Sequence, residues 1–231
     1  MKRQPRPWVF LNLALTADGK IATASRAVHA FGSAHDQRQL YRLRAAADAV
    51  MCGARTVEIS GATLGNGGEN FRRQRRKTGL ADSPLRVLVS GGGSLDPAAK
   101  IFTTPFAPVL VLTTRRAPAT ARRRLGELAD EVKICGATEI DFAAALAWLA
   151  REWKVRRLLC EGGGELNDAL FRAGLVDEIH LTFCPKIFGG RTAPTLADGG
   201  GFPELAGAAQ FKLASIRRQQ DELFTTYLRK P

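Results

Sequence analysis

The 231-residue sequence predicts one α/β domain over 1–231, with its core at about 8–229: a mainly parallel central sheet flanked by helices and closed by a C-terminal antiparallel hairpin. Three observations predict it. Short apolar segments alternate with helix-periodic ones as far as Gly174. The early strands stop in small or hydroxylated residues, as strands do where they lead into ligand-facing loops. After Asp177, three strand-like segments follow with no helix between them.

Residues 8–15 are apolar-rich and suit a first strand, followed by the turn Asp18-Gly19-Lys20. Ser33 starts a helix with Asp36 as its capping-box partner, and Leu40, Leu43 and Ala47 continue one face. Residues 49–52 form a buried strand ending at Gly53; 85–89 form another, ending at Ser90-Gly91-Gly92-Gly93. A third, 109–112, ends at Thr113-Thr114. A helix over 119–129 leads to a strand over 131–135. Asp141 caps the next helix, where Phe142, Ala145, Leu146 and Leu149 recur at helical spacing. Strand 157–160 then runs into Glu161-Gly162-Gly163-Gly164 and a helix with Leu166, Ala169, Leu170 and Ala173 on one face, stopped by Gly174. Segments 178–184, 211–217 and 223–228 read as strands, the last two joined through 218–221 as a hairpin. The stretches 61–83 and 189–201 are the least structured and read as functional loops.

The net charge of +12 attracts anions: nucleic acid, acidic membrane surfaces and phosphorylated small molecules are all candidates. Part of the excess is local. Arg72, Arg73, Arg75, Arg76 and Lys77 read as a solvated loop, and Arg122, Arg123 and Arg124 as a solvated helix face. Cys52, Cys135, Cys160 and Cys184 form no C-x-x-C pair and have no histidine at ligand spacing, so they read as buried free thiols rather than zinc ligands. Free thiols predict a reducing compartment. The basic N-terminus lacks the apolar region of a signal peptide, and no run approaches the ~18 apolar residues of a membrane span, so the cytoplasm is expected. His29, His35 and His180 have no partner at triad or metal spacing; His180 reads as structural.

The strongest chemical signal is Glu161-Gly162-Gly163-Gly164 between a buried strand and an amphipathic helix. Glycines let backbone approach a ligand, and the first amides of the helix are unpaired donors that favour a phosphate or pyrophosphate. No G-x-G-x-x-G is present, and a plain glycine-rich turn is the alternative. Glu161 stands where ligands bind in open sheets; it is placed to accept hydrogen bonds from a heterocycle or sugar hydroxyl, or to pair with a basic neighbour. Lys20 and Arg44 are candidates for an anionic or hydroxyl-rich substrate, or are surface residues. In Gly53-Ala54-Arg55-Thr56-Val57, the amides and the Thr56 hydroxyl suit a phosphate or a nicotinamide amide, with a simple helix N-terminus as the alternative.

In order, Asp18-Gly19-Lys20-Ile21-Ala22, Leu43-Arg44-Ala45-Ala46-Ala47-Asp48-Ala49-Val50, Gly53-Ala54-Arg55-Thr56-Val57, Glu161-Gly162-Gly163-Gly164-Glu165-Leu166, Gly174-Leu175-Val176-Asp177-Glu178 and Pro185-Lys186-Ile187-Phe188-Gly189-Gly190 resemble the reductase domain of riboflavin biosynthesis. The resemblance implies a dihydrofolate reductase-like fold and NADPH as hydride donor. It implies reduction of the ribose of a 5-amino-6-(5-phosphoribosylamino)pyrimidine to the ribityl form. It implies Lys20 and Glu161 as catalytic residues, with Arg44, Ser60 and Leu64 beside them at substrate positions. It places Gly32, Gly53, Thr56, Gly162, Gly163, Gly164, Glu165 and Leu166 at cofactor positions, with Ser90, Thr114, Arg115 and Arg116 offered to the adenosine 2′-phosphate. A strained or cis peptide is expected at Gly162-Gly163 or Gly163-Gly164. No metal is implied. Family habit and the edge strands imply a homodimer, with no nucleic-acid or membrane partner.

Two departures stand out. The family's Asp-x-Pro-x-Leu segment reads Ser60-Gly61-Ala62-Thr63-Leu64, so Ser60 replaces the acid, and Ala30 beside Phe31 takes the place of a family aromatic. The zinc-deaminase motifs H-x-E and P-C-x-x-C of bifunctional relatives are absent, so a stand-alone reductase is expected. The competing readings are an NADPH-dependent reductase of another heterocycle, such as a dihydropterin, and more remotely a basic nucleic-acid-binding protein.

Overall fold

Strand β1 (Trp8–Thr16) is buried along nearly its whole length, as expected of an apolar run covered on both faces. In the computed structural model, which describes residues 5–26 and 31–230, it is followed by α1 (Ala34–Ala45), β2 (Ala49–Gly53), α2 (Ala54–Ser60) and α3 (Glu69–Lys77). Next come β3 (Leu85–Val89), α4 (Lys100–Thr103), β4 (Val109–Thr113), α5 (Ala119–Leu128) and β5 (Glu131–Ile134). The chain closes with α6 (Phe142–Glu152), β6 (Arg157–Cys160), α7 (Gly164–Arg172), β7 (Glu178–Cys184), β8 (Phe211–Gln219) and β9 (Glu222–Arg229). Asp141 caps α6 as expected, its carboxylate accepting from the Ala144 amide at 2.9 Å.

The chain groups into two compact units that interleave in sequence. Unit one gathers residues 41–159 with the segment ending at Trp8; unit two gathers 9–40 and the residues from Cys160 on. In unit one the strands run β5-β4-β3-β2-β6. Pairing is parallel, with Met51 beside Val87 and Val87 beside Leu110. Its core includes Met51, Leu88, Ile101, Leu110, Leu112, Leu125 and Leu146, each less than 2 % exposed. Burying such a side chain contributes roughly 1.5–3 kcal/mol. In unit two the order is β1-β7-β9-β8. There β1 pairs β7 in parallel, while β9 pairs β7 and β8 antiparallel. The mainly parallel sheet with a terminal antiparallel hairpin is therefore as the sequence predicts. The hairpin turn is shorter than expected: Arg218 and Gln219 still belong to β8, and Gln220 takes the turn at φ 55°.

The stretch 61–83 is not structureless, because α3 occupies its centre. Glu69 in the first turn and Arg75, Arg76 and Lys77 in the last suit the helix dipole. Nor is the arginine run a solvated loop. Arg75 is 1 % exposed and is the buried residue of α3. Helix α7 buries Leu166 and Leu170 as predicted, but its buried face is wider and turned toward Asn167, Asp168 and Phe171, while Ala173 is exposed. The two polar residues tolerate burial because they are bonded. Asn167 donates to the Leu196 carbonyl at 2.8 Å, and Asp168 accepts from the Gly201 amide and from Arg172.

The cap of α1 differs in one partner. The Ser33 hydroxyl accepts from the His35 amide at 3.0 Å, as an N-cap should. The back-bond to Ser33 comes from Glu222 on β9, which accepts from the Ser33 amide at 2.7 Å and from its hydroxyl at 2.6 Å. Asp36 instead is half-buried, and its buried Oδ1 has no hydrogen-bond partner among the described residues. Burial raises the Asp36 carboxyl above its ordinary value; the Thr182 hydroxyl opposes this and the Glu222 carboxylate adds to it. A carboxyl with a raised folded-state value favours folding most below its unfolded value of 3.8, and that contribution is lost as pH rises through the folded value. Asp36→Asn is therefore expected to raise the melting temperature at neutral pH, with the gain shrinking as pH falls to 3.8. Thermal denaturation across pH 3–8 checks it, and a constant difference would show another origin.

Candidate functional site

Directly after β6, Glu161, half-buried, leads into the glycine corner of unit two. The expected cis peptide lies between Gly162 and Gly163. Gly162 has φ 83°, a conformation that favours glycine, and Gly163 caps α7. At Gly164 a Cβ would stand 2.6 Å from a carboxylate oxygen of Asp198 and 2.9 Å from the Thr195 carbonyl, so only glycine fits. The Asp198 amide donates to the Gly164 carbonyl at 3.0 Å. Of the residues that open α7, Glu165 is exposed and Leu166 is buried.

Lys20 is held on the same loop. It forms an antiparallel bridge with Thr195, and its ammonium donates to the Ala193 carbonyl at 3.2 Å. Thr195 in turn bonds Asp198 through its amide at 2.9 Å and its hydroxyl at 2.6 Å. Residues 193–198 thus brace Lys20 on one side and the Gly164 corner on the other. Asp18 fixes the preceding turn. Its carboxylate accepts from the Thr16 hydroxyl at 2.5 Å and from the Phe188 and Gly189 amides at 3.2 and 2.8 Å. Those bonds, the Thr16 hydroxyl foremost, hold the Asp18 carboxyl below its ordinary value. They also join the first and last of the sequence motifs. Asp198, Thr195 and Asn167 carry no motif of their own; the signs in the sequence were the glycine run opposite them and the reading of 189–201 as a functional loop.

Gly32 lies against the Asp36 side chain, where a Cβ would collide with the carboxylate. His29 and Ala30, singled out from the sequence, lie outside the described residues. His180 is structural as read: its Nδ1 pairs with the Thr226 hydroxyl at 3.2 Å, and its Nε2 lies 2.7 Å from Glu178.

Unit one carries the other candidates. Gly53 caps α2 in an extended conformation, and Thr56, half-buried, sits in the first turn of that helix. Ser60 closes it: its hydroxyl donates to the Thr56 carbonyl at 2.7 Å and accepts from the Ala62 amide. Leu64 is 1 % exposed with φ 58° and belongs to the core. Arg44 is 7 % exposed; it donates to the Gly65 carbonyl at 2.7 Å and lies 5.7 Å from the Tyr41 ring centre. At the end of β3, the Ser90 hydroxyl donates to the Ser94 carbonyl at 3.1 Å. At the end of β4, Thr114 donates to the Gly91 carbonyl at 2.7 Å. These two hydroxyls shape the turn rather than project from it. Arg115 and Arg116 beyond them are exposed, and Arg116 reaches toward Gly91. All four cysteines are free and buried; burial pushes the Cys160 thiol up to about 12 and Cys135 to about 11. No cluster of three or more metal-ligating residues occurs among the described residues.

Parallel strands ending in glycine and hydroxyl corners, with a helix N-terminus at one of them, define the class of open α/β proteins with ligand-facing carboxyl ends. The chain belongs to the RibD C-terminal domain family, whose model matches residues 7–224. A 2,5-diamino-6-ribosylamino-4(3H)-pyrimidinone 5′-phosphate reductase of Archaeoglobus fulgidus is 38 % identical over 197 residues, covering 85 % of this chain and 89 % of the relative. The protein of the same name from Methanothermobacter thermautotrophicus is 33 % identical, covering 96 % of this chain and 98 % of the relative. Among solved structures, a pyrimidine reductase-like protein of Corynebacterium diphtheriae superimposes with a TM-score of 0.81 at 21 % identity, covering 97 % of this chain and 92 % of that one. Acinetobacter baumannii RibD gives a TM-score of 0.77 at 23 % identity; this chain spans 58 % of that longer protein. The structural neighbours share this mixed α/β fold, with its mostly parallel sheet and C-terminal antiparallel strands.

Proposed function

We propose that the protein is an NADPH-dependent reductase that converts the ribose of a phosphoribosylaminopyrimidine to the ribityl chain in riboflavin biosynthesis. The observation that carries this reading is the shared support of Lys20 and the Glu161 glycine corner on residues 193–198. Two motifs far apart in sequence are thereby rigidly held by one loop. The names of the Archaeoglobus and Methanothermobacter relatives support the substrate.

The residues present fit a reduced dinucleotide. Gly163 opens α7 with no side chain capping its first amides, which leaves donors suited to a diphosphate, and the exposed Arg115 and Arg116 suit a phosphate monoester. Gly163, Gly164, Glu165 and Leu166 of unit two would hold the diphosphate; within unit one, Gly53, Thr56, Arg115 and Arg116 keep the cofactor role that the resemblance implies. NADPH, when bound, supplies the hydride. Opening the ribose ring passes the amine proton to the ring oxygen and leaves a C=N bond, whose anomeric carbon would take the hydride and whose nitrogen would take a proton from water. Lys20 donates hydrogen bonds to the sugar hydroxyls and stabilises negative charge there. Glu161 accepts from the amino groups of the pyrimidine and orients the ring. The resemblance also gives Arg44 and Ser60 of unit one a substrate role, whereas Leu64 is buried in the core of that unit.

Four free, buried thiols support a reducing cytoplasmic setting, and no described helix is long and apolar enough to cross a membrane. The exposed edge strand β8, with Leu213 and Ile216 in water, supports a homodimer. The test is steady-state NADPH oxidation with the pyrimidine ribosylamine phosphate beside dihydrofolate. Turnover of the first alone is expected; turnover of dihydrofolate alone would transfer the enzyme to another heterocycle.

A further inference from the structure

The buried arginine of α3 belongs to no motif, yet it ties three pieces of unit one together. The Arg75 guanidinium donates to the Arg44 carbonyl at 2.8 Å and the Ala47 carbonyl at 2.5 Å through one nitrogen, and to the Ala81 carbonyl at 2.6 Å through Nε. The first two carbonyls lie at the C-terminal end of α1 and in the turn that follows, where a helix leaves acceptors unpaired and its dipole favours a cation. Arg75 is therefore a C-terminal cap supplied from another helix. What it caps is the turn that carries Arg44, whose own guanidinium donates to the Gly65 carbonyl at 2.7 Å.

The opposite side of the same brace is equally bonded. Asn66 donates to the Asp82 carbonyl at 2.8 Å and the Ser83 hydroxyl at 2.9 Å, and its side-chain oxygen accepts from the Gly68 amide at 3.1 Å. The Tyr41 and Phe71 rings meet at 5.6 Å, and Gly67 packs so closely on Tyr41 that no Cβ fits. A cation without a carboxylate partner in direct contact is an expensive way to hold a turn. Its geometry accounts for the choice: a planar fork reaches three carbonyls at fixed angles, which a compact ammonium does not.

We propose that Arg75 is a positioning residue of the reductase, setting the height and direction of Arg44 and of the 60–65 segment toward the substrate; this rests on the substrate role given above to Arg44. It touches no reacting atom. Arg75→Lys keeps the charge and loses the fork. It is expected to raise KM for the pyrimidine ribosylamine phosphate about tenfold while leaving KM for NADPH and kcat within about twofold. In an Arg44→Ala background the same change is expected to cost less than about twofold, because the residue it places is gone.

A fall in melting temperature with unchanged KM, or losses that multiply in the double variant, would reduce Arg75 to a stabilising residue and overturn the proposal. If Arg75→Lys does not fold, Asn66→Ser loosens the same brace from its other side and is read in the same cycle. If the parent enzyme does not turn over this substrate, the substrate reading fails by itself. The brace is then read by amide hydrogen exchange. Exchange across 44–48 and 61–68 should quicken about tenfold in Arg75→Lys, and unchanged exchange there would rule the brace out.

Discussion

Glu161→Ala is expected to lower turnover of the pyrimidine ribosylamine phosphate by about 10- to 100-fold, with the dissociation constant of NADPH within about twofold of the parent. The magnitude is that of one lost charge-assisted hydrogen bond, roughly 1.5–3 kcal/mol, at 1.36 kcal/mol per tenfold in rate. The separation of the two readouts follows from the local structure. Glu161 is the residue immediately after β6, and the corner proposed to hold the cofactor begins with the backbone of the next three residues. Truncating the carboxylate leaves Gly162 at its positive φ and leaves the Gly164 carbonyl bonded to Asp198. Single-turnover kinetics and fluorescence titration with NADPH measure the two quantities. Unchanged turnover would remove Glu161 from the chemistry; a matching loss of NADPH affinity would assign it to the corner instead.

Arg86→Met is expected to cost about 2–3 kcal/mol of stability, the largest effect on stability of any single substitution discussed. Arg86 lies on β3 and is 3 % exposed. It donates to the Ile101 carbonyl at 2.7 Å, the Thr104 carbonyl at 3.0 Å and the Ala107 carbonyl through two nitrogens, with its guanidinium 4.3 Å from the Phe106 ring centre. Burial pulls this guanidinium below its ordinary value, partly offset by Asp130. Methionine fills most of the volume but leaves the carbonyls of Ile101, Thr104 and Ala107 without this donor; Ile101 is buried, and an orphaned acceptor there costs about 1–3 kcal/mol. For a chain of this size the melting temperature should fall by roughly 10 °C. Arg86→Lys should fall between the two, since an ammonium keeps the charge but reaches fewer of these oxygens. Urea denaturation with a midpoint within error of the parent would show that the carbonyls find water.

Most of the sheet was legible because its strands are continuous apolar runs with glycine or hydroxyl stops: 49–52, 85–89 and 157–160 lie within a residue of their observed limits. Helix α3 was not legible, since Glu69 to Lys77 has almost no apolar residue to set a period, and its inward position is filled by an arginine. The same difficulty hid Arg86, whose burial depends on carbonyls fifteen or more residues away. In the candidate site, the glycine corner and Lys20 were legible from local sequence. The loop that joins them was not, because Thr195 and Asp198 act through partners more than thirty residues distant in sequence. Ser90 and Thr114 show the converse: hydroxyls well placed in sequence turn out to bond neighbouring carbonyls.

The interleaving of the two units dictates an order of events during synthesis. Residues 41–159 emerge as one stretch whose strand partners are mostly near at hand, so that half can collapse while the chain is still growing. The other half must wait. Val9 finds its partner Asp177 only after 168 further residues have been made, and β1 cannot complete its parallel ladder until Cys184 has left the ribosome. Until then this long apolar strand has no neighbour on that side, and a chaperone or a slow codon acting in this interval would change the yield of native enzyme without touching any contact of the finished molecule.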